Sequence, residues 1–575
     1  MTGNISRRFC GSGCVVLLAS FSLQMVLSSD LPAWDLDLEH PVRFQRAMDE
    51  NLLLAGTERH LFGVDMKSGK TLWRFRNIQL QQDDVLAVPF SNVVILSEGW
   101  GGEFKDKESN VLAINYLTGE RLWESPTIKE RVLSVVPDLE NGRVLMVTAK
   151  KPHGKGRGHF ERKPRLYLLD TLTGKILWKI DVDQEIRLTP LAQTEDQKQH
   201  KSQSFNLSAY HAPIFQDNSL FVLYDGIRRY DAATGRLLWQ KKFGVFEGDL
   251  AKSYAEPWFD DDNVYVAGEG KVRALRLSDG EQLWKTDDFG IVTELYADSN
   301  VLYGKLGGQF FDFAGNEWDR KGPFGAVALD PKTGKKIWKW NHGDNAVTNL
   351  LIFGDRVYFA DGDDLFALSR VDGKKVYKQS HHFSKPPKYL SFNESGRLVL
   401  IGEENAAGFD YADGQRLWYH ELKPPGHGFW KHVAAGFLVS TGAILAVTSY
   451  GVALHRGLLP AAPSPVSRIF NYQSRLIKLG KAAGKGMIGA GGDLLQLTRY
   501  AQLDGNHQYF FTRLPKGKGL VGVNLTRGVV DETFPMRDEN VALLVSELNK
   551  IVIQAEGTRL VASPLQRESA PVLKN

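Results

Sequence analysis

Cysteine is almost absent from the sequence. The 575 residues contain two, Cys10 and Cys14, and both lie near the amino terminus. Residues 1–29 are typical of a secretory signal peptide, because two arginines precede a short apolar run that ends in small residues. If this leader is removed, the mature chain has no cysteine, which excludes disulfide bonds, thiolate metal sites, cysteine nucleophiles and covalent haem attachment.

The leader predicts export and leaves the route open. Ser6-Arg7-Arg8 fits a twin-arginine leader loosely, so general secretion and twin-arginine export both remain. The apolar run follows Cys14 instead of preceding it, which disfavours lipid attachment at that cysteine. We therefore expect a periplasmic or secreted protein.

A strong charge of either sign is also lacking. The formal net charge is +4, and about +2 once Arg7 and Arg8 of the leader are removed, which argues neither for nor against nucleic acid. The sequence contains no G-x-x-x-x-G-K-[ST], H-E-x-x-H or G-x-S-x-G motif. The P-loop, zinc-protease and serine-hydrolase signatures are therefore absent.

Glycine and tryptophan, by contrast, are plentiful and periodic, with 56 and 13 residues. The phrase ALDPKTGKKIW at residues 328–338 is one of eight similar copies between residues 63 and 418. In every copy a glycine is followed four positions later by an aromatic residue, and successive glycines are 39 to 61 residues apart. The glycines are Gly69, Gly119, Gly174, Gly235, Gly280, Gly334, Gly373 and Gly414. The aromatic partners are Trp73, Trp123, Trp178, Trp239, Trp284, Trp338, Tyr377 and Trp418.

Each position of this phrase has a physical reason. Alternating apolar residues before the turn predict a strand with one buried face. Aspartate, four residues before glycine in five copies, can accept backbone N–H bonds, and glycine supplies the positive φ that closes the hairpin. The aromatic residue opens the returning strand and offers a flat packing surface. With another hairpin ahead of each phrase, about four short strands recur per ~40–60 residues, which predicts propeller blades.

The A-x-D-x-x-T-G-x-x-x-W phrase resembles the tryptophan-docking motif of the pyrroloquinoline-quinone (PQQ) propeller repeat. The resemblance covers about residues 63–418. It implies an all-β, multi-bladed propeller with eight or more PQQ-like blades over residues 30–575, in which the repeated indoles are wedged between neighbouring blades. The repeated tryptophans are then structural residues and not a site.

The two ends of the chain look like parts of one blade. Residues 549–563 resemble two inner strands without a following motif, and Trp34 opens a segment that matches the strand after a complete motif. We expect these segments to pair and close the ring, with Trp34 as a further docking residue.

The segment over about residues 425–510 diverges from the repeat. Within it, residues 434–454 carry no charge and are long enough to cross a bilayer, but their internal turns favour two buried strands over a membrane span. Residues 459–486 open with prolines and predict an irregular or short helical insertion. A degenerate copy of the repeat phrase follows at residues 520–534, without tryptophan.

The resemblance also implies a test for chemistry, because PQQ dehydrogenases carry a vicinal disulfide and a catalytic aspartate shortly after one docking tryptophan. The mature chain lacks the cysteines, and after Trp338 only Asp344 stands near the expected place, without the Trp-Asp that follows in those enzymes. Asp344 is a candidate base if PQQ and Ca²⁺ are present, and a hairpin residue otherwise. No calcium ligands can be assigned by matching motifs.

Two functions follow from the resemblance. The first is an exported, non-catalytic propeller that acts as a scaffold for other envelope proteins, similar to the propeller lipoprotein of the outer-membrane barrel-assembly machinery, with no cofactor, metal or nucleic acid. The second is a PQQ- and calcium-dependent alcohol or sugar dehydrogenase. The sequence favours the first, and its oligomeric state is open.

Overall fold

The structure, a computed structural model, describes residues 32–422 and 501–565 apart from short gaps. The gaps are residues 49–50, 77–79, 81–83, 89–90, 98–110, 126, 129, 139–140, 150–159, 184, 191–204, 210, 248–249, 251–254, 298–299, 313–316, 345–347, 394, 403, 505–506, 515–516, 537–542 and 547–548. The regular elements of the described residues are all β-strands. The predicted insertion at 459–486 and the uncharged run at 434–454 lie outside the described residues.

Ten four-stranded antiparallel sheets, which we call blades 1 to 10, follow one another through the described part of the chain. In each blade the first strand is innermost, and in every blade except blade 9 the fourth strand carries the motif aromatic residue. The strands of blades 1 to 3 are β2 (Val42–Ala47), β3 (Leu52–Thr57), β4 (His60–Asp65) and β5 (Thr71–Arg76); β6 (Val85–Ala87), β7 (Val93–Ser97), β8 (Val111–Asn115) and β9 (Arg121–Ser125); and β10 (Arg131–Asp138), β11 (Arg143–Ala149), β13 (Arg165–Asp170) and β14 (Ile176–Asp181).

The middle of the chain continues the same pattern in four further blades. The strands of blades 4 to 7 are β17 (Ile214–Gln216), β18 (Ser219–Leu223), β19 (Ile227–Asp231) and β20 (Leu237–Lys241); β21 (Trp258–Phe259), β22 (Asn263–Gly268), β23 (Lys271–Arg276) and β24 (Gln282–Lys285); β25 (Val292–Ala297), β26 (Leu302–Asp312), β27 (Glu317–Leu329) and β28 (Lys336–Trp340); and β29 (Leu351–Phe353), β30 (Arg356–Ala360), β31 (Asp364–Ser369) and β32 (Lys375–Ser380).

Three blades and one small sheet complete the fold. The strands of blades 8 to 10 are β33 (Tyr389–Phe392), β34 (Leu398–Ile401), β35 (Asn405–Phe409) and β36 (Arg416–Glu421); β37 (Ala501–Asp504), β38 (His507–Leu514), β39 (Gly517–Asn524) and β40 (Val529–Met536); and β41 (Leu543–Ser546), β42 (Ile551–Glu556), β43 (Arg559–Pro564) and β1 (Trp34–Asp37). The small three-stranded sheet joins β12 (Phe160–Arg162), β15 (Ile186–Pro190) and β16 (Phe205–Ala209) beside blade 3.

The predicted closure of the ring is confirmed. Strand β1 pairs antiparallel with β43, with Trp34 opposite Ala562 and Asp37 opposite Arg559. An ion pair between Arg559 and Asp35 ties the same two strands. Blade 10 is therefore built from both ends of the chain.

Apolar side chains fill the space between every pair of neighbouring blades. One cluster joins blades 10 and 1 through Trp34, Leu53 and Ile553, and another joins blades 9 and 10 through Tyr509 and Val552. Similar clusters join all the intervening pairs of blades. Because each blade buries a face against both neighbours, the core is continuous around the ring, as a closed propeller requires.

The ten blades agree with the prediction of eight or more. The degenerate copy at residues 520–534 supplies two strands of blade 9, so it is a full structural repeat despite its lack of tryptophan. The fold class predicted from the repeat is confirmed.

Candidate functional site

The motif aromatic residues form an outer belt, in which each one packs on the glycine turn of the next blade. A Cβ built on Gly373 would lie 2.7 Å from the indole of Trp338, and the same geometry recurs at the other seven motif glycines, whose φ angles lie between 67° and 78°. The indole nitrogen then donates to a backbone carbonyl three residues before that glycine. These bonds are Trp34 to Met66 (2.8 Å), Trp73 to Tyr116 (2.8 Å), Trp123 to Thr171 (3.0 Å), Trp178 to Ala232 (3.0 Å), Trp239 to Leu277 (2.8 Å), Trp284 to Pro331 (2.9 Å) and Trp338 to Arg370 (2.8 Å).

The tyrosine at position 377 keeps this arrangement. Its ring lies against Gly414, and its hydroxyl donates to the carbonyl of Tyr411 at 3.3 Å. Trp418 packs on Gly528 in blade 9, where His420 Nε2 approaches the Gly528 carbonyl at 2.8 Å. The repeat therefore has a ninth glycine turn, which lies in the degenerate copy predicted at residues 520–534.

Blade 9 carries Glu532 where the other blades carry the aromatic residue, four positions after Gly528. Its carboxylate accepts the hydroxyl of Tyr509 and lies 3.8 Å from Lys550 of blade 10. Blade 10 has no turn between its third and fourth strands, because β43 and β1 come from opposite ends of the chain. An indole at position 532 would therefore have no glycine turn to pack on.

The two faces of the ring differ in how they are made. One face carries the glycine turns between third and fourth strands, and we call it the motif face. The opposite face, the link face, carries the links from one blade to the next and the turns between second and third strands. Turns of the motif face are near copies of one another, whereas the links differ in length and charge.

Polar contacts at or next to the innermost strands form an inner belt, which sequence analysis did not find. At the link face, Asp84 of the link into blade 2 lies 3.3 Å from Arg131 of blade 3, with both side chains buried. Asn349, in the link into blade 7, exchanges two hydrogen bonds with the backbone of Leu390 in blade 8, at 3.0 and 2.9 Å. Further contacts join Arg46 to the Val85 carbonyl (2.8 Å) and Gln45 to the Ile553 carbonyl (3.2 Å). These residues share no recurring motif, so no pattern in the sequence marks them.

Glu294 of the inner belt contacts three other residues. It pairs with Lys305 at 3.0 Å within blade 6, and its own side chain is buried while that of Lys305 is mostly buried. Its Oε2 also accepts the hydroxyl of Tyr296 at 3.3 Å and the backbone N–H of Leu350 at 3.1 Å. Since Leu350 leads into blade 7, this carboxylate joins two blades.

His211 in the link into blade 4 contacts Glu256 in the link into blade 5, with its Nε2 2.7 Å from the Glu256 Oε2. His211 is fully buried, whereas Glu256 is about half exposed. Burial alone would lower the pKa of His211, but the charge of Glu256, together with its hydrogen bond, raises that pKa above the ordinary value. The pair is therefore held together partly by charge.

Asp344 lies on the link face, between blades 6 and 7, and its side chain is exposed. Its backbone is fixed by Asp361, whose Oδ2 accepts the N–H of Asp344 at 2.9 Å, and its carbonyl accepts the N–H of Gly362. A calcium ion needs six or more oxygen ligands that converge. Among the described residues, the group of three acidic or histidine side chains close enough to share an ion lies elsewhere, at Glu39, His40 and His60. Among the described residues, no such group of three includes Asp344.

Comparison with known proteins gives the family. Residues 107–288 and 323–433, slightly more than half of the chain, match the family of the outer membrane protein assembly factor BamB. The chain belongs to the BamB family. The resemblance to PQQ-like propellers of the barrel-assembly type, predicted from the repeat, is confirmed.

Individual relatives of this BamB-family chain are distant. A curated relative, the 1-butanol dehydrogenase (quinone) of Thauera butanivorans, is 22% identical in an alignment of 410 residues that covers 62% of this chain and 58% of the relative. The chain thus spans less than two thirds of that enzyme. Among solved structures, BamB from Moraxella catarrhalis is 14% identical over 67% of this chain and 97% of its own, with a TM-score of 0.35. The computationally designed Ika8 protein is 16% identical over 67% and 98%, with a TM-score of 0.34.

One further observation concerns the membrane. Within the residues that the structure describes, no helix has the length and apolar character needed to span a bilayer.

Proposed function

We propose that this BamB-family chain is exported to the cell envelope and acts there as a non-catalytic scaffold that binds other proteins. Membership in the family of an outer membrane assembly factor is the observation that carries the proposal. The leader at residues 1–29 supports the envelope location.

The link face is the surface that we assign to the partner. Selective binding needs a surface that is unique in the molecule, and the repeated turns of the motif face look alike from blade to blade. Links into successive blades differ, and the inner belt holds the residues beneath them in place. Rigid elements that present variable loops are a common basis for protein recognition.

Exposed residues on both faces allow a matched test. A photo-reactive amino acid is placed at Asp183, Asp287 or His342 on the link face, and at Leu172, Asp279 or Val371 on the motif face of the same sectors. After irradiation of intact cells, we expect discrete protein adducts from link-face positions and none from motif-face positions. Adducts from the motif face alone would show that the partner binds the motif face and not the link face. Adducts from neither face would contradict a scaffold role.

The alternative function is a PQQ- and calcium-dependent alcohol or sugar dehydrogenase, and the distant match to a quinone-dependent butanol dehydrogenase favours it. The exposed side chain of Asp344 argues against it. Purified protein is incubated with PQQ and Ca²⁺, and its absorption spectrum and dye-linked alcohol and sugar oxidation are recorded. Stoichiometric quinone together with dye reduction would overturn the scaffold proposal.

A further inference from the structure

Three side chains with metal-binding atoms meet beside the closing blade. Glu39 and His40 lie in the link between β1 and β2, and His60 is the first residue of β4 in blade 1. One ligand atom from each residue lies within 4.8 Å of the other two. We propose that Glu39, His40 and His60 bind a divalent transition-metal cation of the zinc type.

His60 supplies an independent reason to expect a ligand. Its side chain is more than nine-tenths buried, and its Nδ1 is buried without a hydrogen-bond partner among the described residues. An unpaired buried polar atom is costly, so it calls for a partner. Burial, and secondarily the charge of Arg74, lowers the pKa of His60. The neutral imidazole is the form that coordinates a metal.

The donor set selects the class of cation. Two imidazole nitrogens and one carboxylate oxygen suit zinc and its neighbours in the first transition row, and three protein ligands leave a position for water. Calcium and magnesium prefer sets made of oxygen alone. The site is therefore distinct in chemistry from the calcium site of quinone enzymes.

Arg74 already contacts one of the three ligands. Its two terminal nitrogens donate to the two carboxylate oxygens of Glu39, at 3.1 and 2.9 Å. Hydrogen bonding to Arg74 lowers the pKa of Glu39. A carboxylate has further lone pairs for a cation, so Arg74 can orient it while opposing the added charge. Removal of that positive charge should strengthen metal binding.

The position of the site gives the bound cation a role. Glu39 and His40 directly follow β1, the strand that closes the ring, and His60 belongs to blade 1. A cation held by all three would fasten the closing strand to the next blade. Because it binds the folded state, it would raise the melting temperature by mass action.

The test uses the untagged mature protein with Zn²⁺ for calorimetry and Co²⁺ for absorption spectra. We expect one Zn²⁺ per chain, a melting temperature that rises with zinc, and a Co²⁺ spectrum with nitrogen ligands. His40→Ala, at a half-buried position, should weaken binding at least about tenfold. His342→Ala, an exposed histidine in another link, is the matched control and should change nothing.

Arg74→Gln should change zinc affinity in the opposite direction from His40→Ala. It removes the ion pair to Glu39 and the positive charge beside the site, so it should tighten zinc binding. A purely structural role of this cluster would not predict that gain. Absence of stoichiometric zinc binding, or equal zinc affinity in the wild type and His40→Ala, would overturn the proposal. Melting curves without metal show whether each variant is folded.

Discussion

The indole of Trp338 lies against Gly373 of the next blade, so close that no side chain fits between them. A Cβ at Gly373 would stand 2.7 Å from Trp338 Cδ2, inside any allowed contact distance. The same indole donates a hydrogen bond to the carbonyl of Arg370 in that turn. Trp338 thus packs directly against Gly373 and also binds the backbone of the same turn.

We predict that Gly373→Ala destabilises the ring by about 3 kcal/mol, from a left-handed φ that alanine tolerates poorly and from overlap with Trp338. Gly354→Ala is the matched control, since Gly354 has a φ of 59° and no atom within 4 Å of its Cβ position. It should cost only the backbone strain, about 1 kcal/mol. Urea denaturation of both variants measures the difference, and equal losses would show that the indole contact contributes nothing.

Removal of residues 31–44 should open the ring and lower the melting temperature sharply. This deletion takes away β1, so that β43 loses its hydrogen-bonded neighbour and Gly69 loses the indole of Trp34. Trp34→Ala keeps the strand and should cost about 3–5 kcal/mol, as expected for a buried tryptophan. Thermal unfolding and limited proteolysis measure both effects. An unchanged melting temperature for the deletion would contradict closure by β1.

Lys305→Met should destabilise the protein by about 3 kcal/mol or more, because it leaves the buried carboxylate of Glu294 without its ion-pair partner. The control is Lys374→Met, which breaks the exposed pair between Lys374 and Asp372 and should leave stability unchanged within error. Chemical denaturation compares the two. Similar small effects would mean that the inner belt does not depend on this pair.

The pair of His211 and Glu256 predicts a pH dependence with a definite sign. Since the folded-state pKa of His211 is raised, the protonated form stabilises the fold below the ordinary histidine pKa, and this contribution is lost as the pH rises through the folded value. Glu256→Gln removes the charge that raises the pKa. The melting temperature of the wild type should therefore exceed that of the variant at pH 6, and the gap should narrow towards pH 8 or above. A gap that widens with pH would reverse the assigned sign.

Much of the fold could be predicted because each blade repeats the same local problem. A left-handed turn demands glycine, and the space above that glycine demands a flat ring, so Gly334 and Trp338 recur at fixed spacing. Gly528 has the left-handed φ of a motif glycine, but no aromatic residue follows it four positions later. Blade 10 has no turn between its third and fourth strands on which such a ring could pack. The Thr-Arg-Gly context of Gly528 is what marks residues 520–534 as a degenerate copy of the repeat.

The inner belt and the histidine cluster could not be read from spacing. Asp84, Asn349 and Glu294 make their contacts across blades, through links whose lengths differ, so their positions follow no period. His40 and His60 are twenty residues apart, with a hairpin between them, and their proximity depends on the register of β2 with β3 and of β3 with β4. Such sites arise from tertiary structure and leave no motif.

The pairing of Trp34 with Ala562 also dictates the order of events when the chain is made. Blades 1 to 9 each take their strands in chain order, whereas blade 10 combines β1 with the last three strands, β41 to β43. Strand β1 is synthesised more than five hundred residues before its partner β43. Until β43 is made, the apolar flank of blade 1 remains uncovered. Closing so long a loop is slow, and exposed strand edges and apolar surface favour misassembly in the meantime. Completion of the ring is thus a late step at which misassembly is favoured.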